Sequence, residues 1–320
     1  MTEIFDVICI GAALVDMIAQ VERHPESDDE VYVSDLKFLS GGAAANTAYT
    51  CAKIGLRSVF IGKLGKNDTM GLKIINDFNN VHVNTNFIKY SDEYGTGTAY
   101  IALNKDGDRR IYAHSGAAND LSKDDIIEGE LIPTKVLFLS SLKNLQPFIE
   151  ASKIGKSNMI PVILNPGMLI VEQGFARIKE LLKNVDVLIM SEREFRILFN
   201  IEGEKLTLDI VKANSQILFD MEIKSLIITI GRKGALLVTA NNSNLISPFK
   251  VENVVDTTGA GDAFSAGFIY GFIQNPSFEF EDLCYNVKIG NLLASKCIQK
   301  LGARNGIPDA EAFKRELANI

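Results

Sequence analysis

A chain of 320 residues is long enough for one large domain or two small ones. Its 47% hydrophobic and 23% charged residues are typical of a globular protein and exclude a disordered chain. The net charge of −7 argues against nucleic acid or an anionic membrane as the main partner. Any anionic ligand must therefore be held by local backbone donors and a few cations.

The cysteines and the N-terminal segment indicate the cellular setting. The four cysteines are dispersed without a CxxC pair, and the three histidines are equally scattered. This pattern predicts neither a zinc site nor a disulfide framework, and it favours a reducing, cytoplasmic setting. The first apolar run, residues 4–19, contains Asp6 and Asp16 and has no basic lead, so it predicts neither a signal peptide nor a membrane span.

The N-terminal third predicts two core strands separated by more polar chain. Residues 7–10 and 58–64 are short apolar runs, which are typical of buried parallel strands. Between them, residues 31–33 predict a strand outside the main core. A helix is expected over residues 43–54, with Gly55 ending it.

A hairpin is predicted where residues 98–104 and 109–114 flank Asp106-Gly107, the dipeptide favoured in two-residue turns. Because its flanks are polar, we expect the hairpin to lie outside the main core. Pairing with residues 31–33 would give a small separate sheet.

From residue 136 onward, apolar runs alternate with helical stretches. The predicted strands are 136–139, 161–164, 185–190 and 226–230, and the predicted helices include 175–183 and 206–221. This alternation predicts an α/β fold whose parallel sheet is covered on both faces. In such sheets ligands bind beyond the carboxyl ends of the strands. No linker divides the chain, so we expect a single domain over residues 1–320.

The most informative stretch is Asp256-Thr257-Thr258-Gly259-Ala260-Gly261-Asp262. Its glycines allow a tight turn that brings successive N–H groups to one point. A helix is expected over residues 263–273, and free N–H groups at a helix start bind anions. Asp262 lies inside this anion site, where it would repel a phosphate unless it takes a proton from the attacking group. The stretch predicts phosphoryl transfer to a hydroxyl, with a purely structural glycine-rich loop as the alternative.

Other motifs narrow the choice of site. The chain has no Walker A sequence and no GxGxxG after its first strand, so a Rossmann site is poorly supported. In Gly41-Gly42-Ala43-Ala44-Ala45-Asn46, the glycines allow close approach to a ligand, and the Asn46 amide can bond hydroxyls. A hinge with tight helix packing is the alternative there. Asp16 is either a ligand contact or a solvated turn residue.

These two stretches resemble the two signatures of the ribokinase-like (PfkB) carbohydrate kinases, and residues 164–166, 229–231 and 301–303 extend the resemblance along the chain. The resemblance implies a three-layer α/β/α fold with a central, mostly parallel sheet. It also implies a small β-sheet lid formed by segments at about 12–40 and 95–115. Members of this family phosphorylate a sugar or nucleoside hydroxyl with ATP and Mg²⁺.

The resemblance implies a role for each candidate residue. The catalytic base would be Asp262, and the anion hole would be formed by Gly259, Ala260 and Gly261. The acceptor would be bound by Asp16, Gly41, Gly42 and Asn46, and the nucleotide by Ser191, Thr229, Gly231, Gly234 and Asn291. Mg²⁺ would be held through water by Glu194, and a monovalent cation such as K⁺ would be bound at Asp256 and Thr258.

Three positions depart from the family pattern. Ser191 replaces the amide of the family's Asn-x-x-Glu element, whereas Glu194 is retained. Ala43 stands where true ribokinases have Lys, and Ser141 where they have a sugar-binding Glu, which weakens ribose as the specific acceptor. We therefore expect a kinase for a small sugar. A nucleoside kinase is the first alternative, and a non-catalytic ligand-binding module is a second, opposed by the intact Asp262 and Glu194.

The choice of acceptor is expected to depend on the lid. Tyr100, Arg110 and Tyr112 are candidates for shaping the pocket, and Arg109 or Arg110 would bind an acidic sugar. The alanines at 43–45 would leave room for a nucleoside base. The exposed face and edges of the lid predict a homodimer formed through it.

Overall fold

An eight-stranded sheet forms the centre of the computed structural model, which describes residues 4–106, 108–203 and 205–320. The strands, numbered in chain order, are β1 (Val7–Gly11), β2 (Leu14–Val21), β3 (Val33–Gly41), β4 (Ser58–Ile61), β5 (Lys63–Gly65), β6 (Lys89–Ser91), β7 (Thr96–Leu103), β8 (Arg109–Gly116), β9 (Leu137–Ser140), β10 (Val162–Asn165), β11 (Val187–Ser191), β12 (Ser225–Thr229), β13 (Ala235–Val238) and β14 (Ser243–Ile246).

The helices lie on the two faces of this sheet. They are α1 (Ala43–Lys53), α2 (Thr69–Asn79), α3 (Glu128–Leu131), α4 (Gln146–Ser157), α5 (Gly167–Val171), α6 (Phe175–Leu182), α7 (Glu192–Leu198), α8 (Leu208–Phe219), α9 (Ala260–Gln274), α10 (Phe280–Cys297) and α11 (Ala310–Leu317). Within the described ranges, none of these helices has the length and apolar character needed to cross a membrane.

The central sheet has the order β14-β13-β12-β11-β10-β9-β1-β4. The six neighbouring strands β12, β11, β10, β9, β1 and β4 pair in parallel. β13 and β14 are antiparallel at the other edge. Side chains alternate between two hydrophobic cores: Phe138 of β9 packs into one, and its neighbours Leu137 and Leu139 pack into the other. The predicted three-layer α/β/α fold with a mostly parallel sheet is confirmed.

A small sheet of four strands, in the order β3-β2-β7-β8, lies beside the central one. The expected hairpin is present, because β7 and β8 are antiparallel. The prediction of the strand that pairs with this hairpin is wrong, because β7 pairs with β2 rather than with residues 31–33. Strand β2 lies between β3 and β7, so the run at 31–33 reaches the small sheet only through β3, which pairs with the other edge of β2.

The turn of this hairpin is also longer than predicted. Leu103 pairs with Arg109, and the Asn104 N–H donates to the Asp108 carbonyl at 3.0 Å. Three positions therefore lie between Asn104 and Asp108. The side-chain oxygen of Asn104 accepts from the N–H groups of Asp106 and Asp108, which stabilises a wider turn. Gly107, on which the two-residue prediction depended, lies outside the described residues.

The predicted strand at 58–64 divides into two. β4 ends at Ile61, and β5 pairs with β6 in a separate two-stranded sheet. Gly62 lies at the break, where a Cβ would come within 2.6 Å of the Gly11 carbonyl oxygen. The chain therefore leaves the central sheet at a position that only glycine can occupy.

Two helices bring the two glycine-containing stretches, residues 41–46 and 256–262, together. α9 starts three residues earlier than predicted and is buried along most of its length, including Phe264, Phe268 and Phe272. α1 matches its prediction closely and packs against α9. The N-terminal ends of both helices consequently meet at one point beside the small sheet.

Candidate active site

The start of α9 presents open backbone donors. Gly259 has φ 77°, and a Cβ there would lie 2.4 Å from the Ala303 Cβ, so the turn requires glycine. The N–H groups of Gly259, Gly261 and Asp262 have no backbone acceptor among the described residues, whereas Ala260 donates to the Thr257 carbonyl at 3.3 Å. This end of the helix therefore offers an anion site with at least three open donors.

Asp262 is held at this site by α1. The Asn46 amide nitrogen donates to Asp262 Oδ2 at 2.9 Å, and the Thr47 hydroxyl donates to the Asp262 carbonyl at 3.4 Å. In the described part of the chain, no hydrogen bond reaches the second carboxylate oxygen of Asp262. That oxygen is consequently available to accept a proton from a ligand.

The electrostatic surroundings raise the pKa of Asp262 to about 6. Loss of hydration is the main cause, and the carboxylates of Glu194 and Asp16 act in the same direction. The Asn46 hydrogen bond and the charge of Arg304 oppose them. A carboxyl with a pKa near 6 is well matched to general-base catalysis at neutral pH, where it is ionised and still a reasonable proton acceptor.

Asp16, Gly41 and Gly42 lie next to this carboxyl. A Cβ on Gly41 would come within 2.6 Å of Asp16 Oδ2, and Gly42 has φ 94°, with its missing Cβ 2.4 Å from the Ala12 carbonyl oxygen. The two glycines thus let β3 turn into α1 beside the Asp16 carboxylate. Burial raises the pKa of Asp16 to about 6, and Arg304 opposes this shift.

Arg304 is a site residue that the sequence reasoning missed. Its Nε donates to Asn46 Oδ1 at 2.8 Å, and its charge reaches both Asp16 and Asp262. The only signal in the sequence was its position directly after residues 301–303, a stretch that resembles a family loop. Nothing in that pattern indicated a buried guanidinium beside Asn46 and Asp262.

A cavity of about 690 Å³ opens on the other side of the α9 start. Its lining includes four of the predicted nucleotide residues together with part of the anion site: Thr229, Gly231, Gly234, Asn291, Ala260 and Gly261. Apolar side chains, among them Phe249 and Phe264, form much of the wall, and Arg232 and Lys250 add positive charge. Apolar walls with a few polar groups suit a nucleotide base, and the cations suit its phosphates.

Two predicted nucleotide residues have other bonds in the structure. The Asn291 amide nitrogen donates to the carbonyls of Ile246 and Ser247, both at 3.1 Å, so it fixes the chain that borders the cavity. Ser191 forms a capping box at the start of α7, in which its N–H donates to Glu194 Oε2 at 2.7 Å and its hydroxyl accepts from the Glu194 N–H at 3.2 Å. Serine therefore orients Glu194.

Asp256 joins two loops of the site. Its Oδ1 accepts from the Thr258 N–H and hydroxyl at 3.0 and 2.7 Å, and its Oδ2 accepts from the Gly302 N–H at 2.8 Å. The carboxylate thereby ties the chain before α9 to the loop that carries Arg304. In the described ranges, no group of three or more His, Cys, Asp or Glu side chains is arranged to hold a metal ion.

The candidate pocket residues of the hairpin lie on the face of the small sheet opposite to Asp16. Tyr100 and Tyr112 are paired across β7 and β8 and align with Met17 of β2, whereas Asp16 points to the other face of the same sheet. Arg110 belongs to the next row on the same face as the tyrosines. The side chain of Arg109 lies outside the described part of the chain. The face that carries Asp16 instead presents Ile18, Ile101 and Ile111.

Comparison with known proteins agrees with this geometry. The family described as pfkB family carbohydrate kinase matches residues 5–310. The ribokinase of Staphylococcus aureus (strain COL) is 30% identical over 306 residues, which cover 94% of this chain and 96% of that protein. A nucleoside kinase of Methanocaldococcus jannaschii is 25% identical over 307 residues, covering 94% and 93%. The structure of Arabidopsis thaliana ribokinase complexed with ribose and ATP has a TM-score of 0.84 at 26% identity, covering 98% and 99%.

The chain belongs to the PfkB family of carbohydrate kinases. It is accordingly a phosphotransferase that acts on a hydroxyl group. The ribokinase-like fold expected from the resemblance is confirmed, and the non-catalytic module is not supported. The roles of the individual site residues stay predictions.

The raised pKa of Asp262 leads to a prediction about stability. The folded carboxyl holds its proton more tightly than the unfolded chain does, so ionisation of Asp262 lowers stability as the pH rises from about 4 to about 6. We expect Asp262→Asn to unfold at a higher temperature than the wild type at pH 7.5, with a difference that shrinks toward pH 4. Thermal unfolding between pH 4 and 8 measures this.

Asp124→Asn, which removes an exposed carboxylate at the surface, is the control for the general effect of losing one negative charge. A stabilisation by Asp262→Asn that is the same at every pH would contradict the prediction.

Proposed function

We propose that this protein transfers the γ-phosphoryl group of ATP to a hydroxyl of a small sugar, with Asp262 as the general base. The observation that carries the proposal is the position of Asp262. Its unbonded carboxylate oxygen lies beside open N–H donors at the start of α9, between a nucleotide-sized cavity and the polar cluster of Asp16 and Asn46.

In the proposed reaction the acceptor hydroxyl gives its proton to Asp262 as its oxygen attacks the γ-phosphorus of ATP. The bond between that phosphorus and the β–γ bridging oxygen breaks, and ADP leaves. A positioned base of this kind contributes about 10²–10⁴-fold to the rate. The N–H groups of Gly259 and Gly261 stabilise negative charge on the transferred group, with Ala260 a weaker donor because it is partly bonded.

The residues around the cavity support ATP as the donor. Thr229, Gly231, Gly234 and Asn291 border a space with apolar walls and two nearby cations, and that combination fits a nucleotide. When bound, Mg²⁺ would neutralise phosphate charge. Glu194 would hold it through water, because one carboxylate oxygen of Glu194 is bonded to the Ser191 N–H.

The acceptor would bind between the small sheet and α1. Asp16 and Asn46 supply a carboxylate and an amide for sugar hydroxyls, and Gly41 and Gly42 allow the chain to approach the ligand closely. We propose that the small sheet acts as a lid, within the single domain over residues 1–320. Closure of the lid would exclude water, which otherwise competes as the acceptor.

A nucleoside is the second candidate acceptor, and a specific observation favours it. Ile18, Ile101 and Ile111 form an apolar row on the face that carries Asp16, and such a row suits a planar base. The alanines at 43–45 give less support than expected, because Ala44 and Ala45 are fully buried in the core. An acidic sugar is less well served, since Arg110 points to the opposite face.

A monovalent cation such as K⁺ would bind near Asp256 and Thr258. The carboxylate of Asp256 already joins the two loops that flank the anion site, so a cation there would reinforce this connection. Its binding would hold the N–H donors of α9 in place and thereby raise the rate.

A homodimer formed through the lid is supported by the exposed side chains of the small sheet. Leu36, Phe38 and Tyr112 are 46%, 40% and 66% exposed and lie on the face away from Asp16. Within the described ranges, β3 and β8 also form the two unpaired edges of this sheet. A partner subunit would cover this apolar face. The unpaired cysteines and the negative charge fit a cytoplasmic protein without a nucleic-acid partner.

The acceptor is identified by a coupled assay of ADP release with ribose, fructose, 2-keto-3-deoxygluconate and a set of nucleosides. We expect turnover with a small sugar. Asp262→Asn should keep its affinity for ATP and lose at least ~10²-fold in kcat, because it cannot accept the proton. Near-wild-type turnover in this variant would remove Asp262 as the base, and turnover with nucleosides alone would establish the alternative.

The cation proposal predicts faster turnover in potassium buffer than in sodium or Tris buffer at equal ionic strength. Initial rates at saturating ATP and acceptor measure the effect, and Asp256→Asn should reduce it. Equal rates in all three buffers would contradict the proposal.

The dimer proposal predicts twice the chain mass in light scattering. The double variant Phe38→Asp, Tyr112→Asp should be a monomer, because two charges would be buried in the interface. Met159→Asp, at an exposed apolar side chain elsewhere, is the control and should stay dimeric. A wild-type protein that is monomeric at all concentrations tested would refute the dimer.

A further inference from the structure

Arg304 is a charged side chain in an unusually dry position. It is only 8% exposed, and its guanidinium carbon lies 4.8 Å from the centre of the Tyr49 ring and 5.6 Å from that of Phe78. Its Nη1 and Nη2 atoms have no hydrogen-bond partner among the described residues. Burying a charge with so few bonds costs stability, so the position suggests a role beyond packing.

Among the described residues, the Arg304 side chain forms one hydrogen bond, and it leads toward Asp262. Its Nε donates to Asn46 Oδ1 at 2.8 Å, and the Asn46 amide nitrogen donates in turn to Asp262 Oδ2 at 2.9 Å. An arginine can only donate, so the oxygen of the Asn46 amide must face it. The amide nitrogen is thereby directed at Asp262, and the reverse orientation of the amide is excluded.

We propose that Arg304 is a positioning residue for the catalytic base, which acts through Asn46 to hold one oxygen of Asp262 and leave the other for the acceptor hydroxyl. This inference rests on the proposed function of Asp262. The aromatic rings of Tyr49 and Phe78 cover the guanidinium and restrict its movement. The chain of bonds therefore links the C-terminal loop to the reacting atoms.

The charge of Arg304 has a second effect on the same carboxyl. Glu194 of α7 and Asp16 of β2 both face Asp262 and raise its pKa, and Arg304 is the positive group that opposes them. From α10, the buried thiol of Cys297 lies close enough to be affected by Asp262. Without Arg304, Asp262 would be left facing carboxylates, with the Asn46 hydrogen bond as its remaining stabilisation. Its pKa would then rise, and less of the base would be ionised at neutral pH.

Two substitutions separate the effect of Arg304 on the orientation of the Asn46 amide from the effect of its charge on Asp262. Arg304→Met removes both, so we expect the pKa of Asp262 to rise by ~0.5–1 and kcat to fall about 10-fold, with ATP affinity unchanged. Arg304→Lys keeps the charge and loses the Nε donor. In this variant the pKa of Asp262 should stay close to the wild-type value, while kcat falls several-fold. Arg57→Met, which removes an ion pair with Asp6 far from the site, is the matched control.

The pKa is read from the carboxyl ¹³C resonance of Asp262, assigned by its absence in Asp262→Asn. This titration needs no acceptor, so it tests Arg304 even if the wild type phosphorylates none of the compounds tried. The acid limb of the kcat profile should shift to higher pH by the same amount in Arg304→Met. A wild-type Asp262 pKa and kcat in folded Arg304→Met would overturn the proposal.

Equal behaviour of Arg304→Met and Arg57→Met would overturn it as well, because a general loss of stability would then explain both. If Arg304→Met does not fold, Arg304→Lys decides the matter. Reduced kcat with unchanged ATP affinity in the lysine variant supports the positioning role, and wild-type kcat overturns it.

Discussion

The hydrogen bond between Asn46 and Asp262 joins two helix starts that are 216 positions apart in the chain. Each residue comes from a glycine-containing turn, and each turn has a positive φ that a larger side chain would strain: Gly42 for α1 and Gly259 for α9. The contact brings a polar acceptor cluster and an anion site to the same carboxylate. In the proposed mechanism, this one contact aligns the hydroxyl that attacks with the phosphate that is attacked.

The C-terminal loop around residues 302–304 supports that contact from behind. Asp256 binds the Gly302 N–H, and Arg304 binds the Asn46 side chain, so the loop is attached both to the chain before α9 and to α1. Ala303 packs where a Cβ on Gly259 would otherwise lie. This loop is thus bonded to both segments that hold Asp262, the proposed base. The buried charge of Arg304 opposes the raised pKa values of the two nearby carboxylates, Asp16 and Asp262.

The departure at Ser191 has a local explanation. The family's Asn-x-x-Glu element becomes Ser-x-x-Glu here, and that pattern is a capping box at the start of α7. Serine satisfies the Glu194 N–H, and Glu194 returns a bond to the Ser191 N–H. The change therefore preserves the position of the carboxylate even though the longer amide is lost. Sequence comparison alone registers a substitution, whereas the hydrogen bonds show that Glu194 is still held in place.

The sequence by itself determined the α/β class, the helices α1 and α9 and the two glycine-containing signatures, because these depend on local periodicity and on backbone conformations that few residues adopt. Only the tertiary structure decided that β2 is the partner of the hairpin, that Tyr100 and Tyr112 face away from Asp16, and that Arg304 lies beside Asn46 and Asp262. Strand pairing and the facing of a sheet depend on which distant segments bury each side, and alternation along one strand is symmetric between its two faces. A buried ion has no local signature either, since its environment is built from side chains far away in the sequence. The same division applies to the substrate: the proposed role of Asp262 can be inferred from seven consecutive residues, whereas the proposed acceptor site is assembled from β2, β7, β8 and α1.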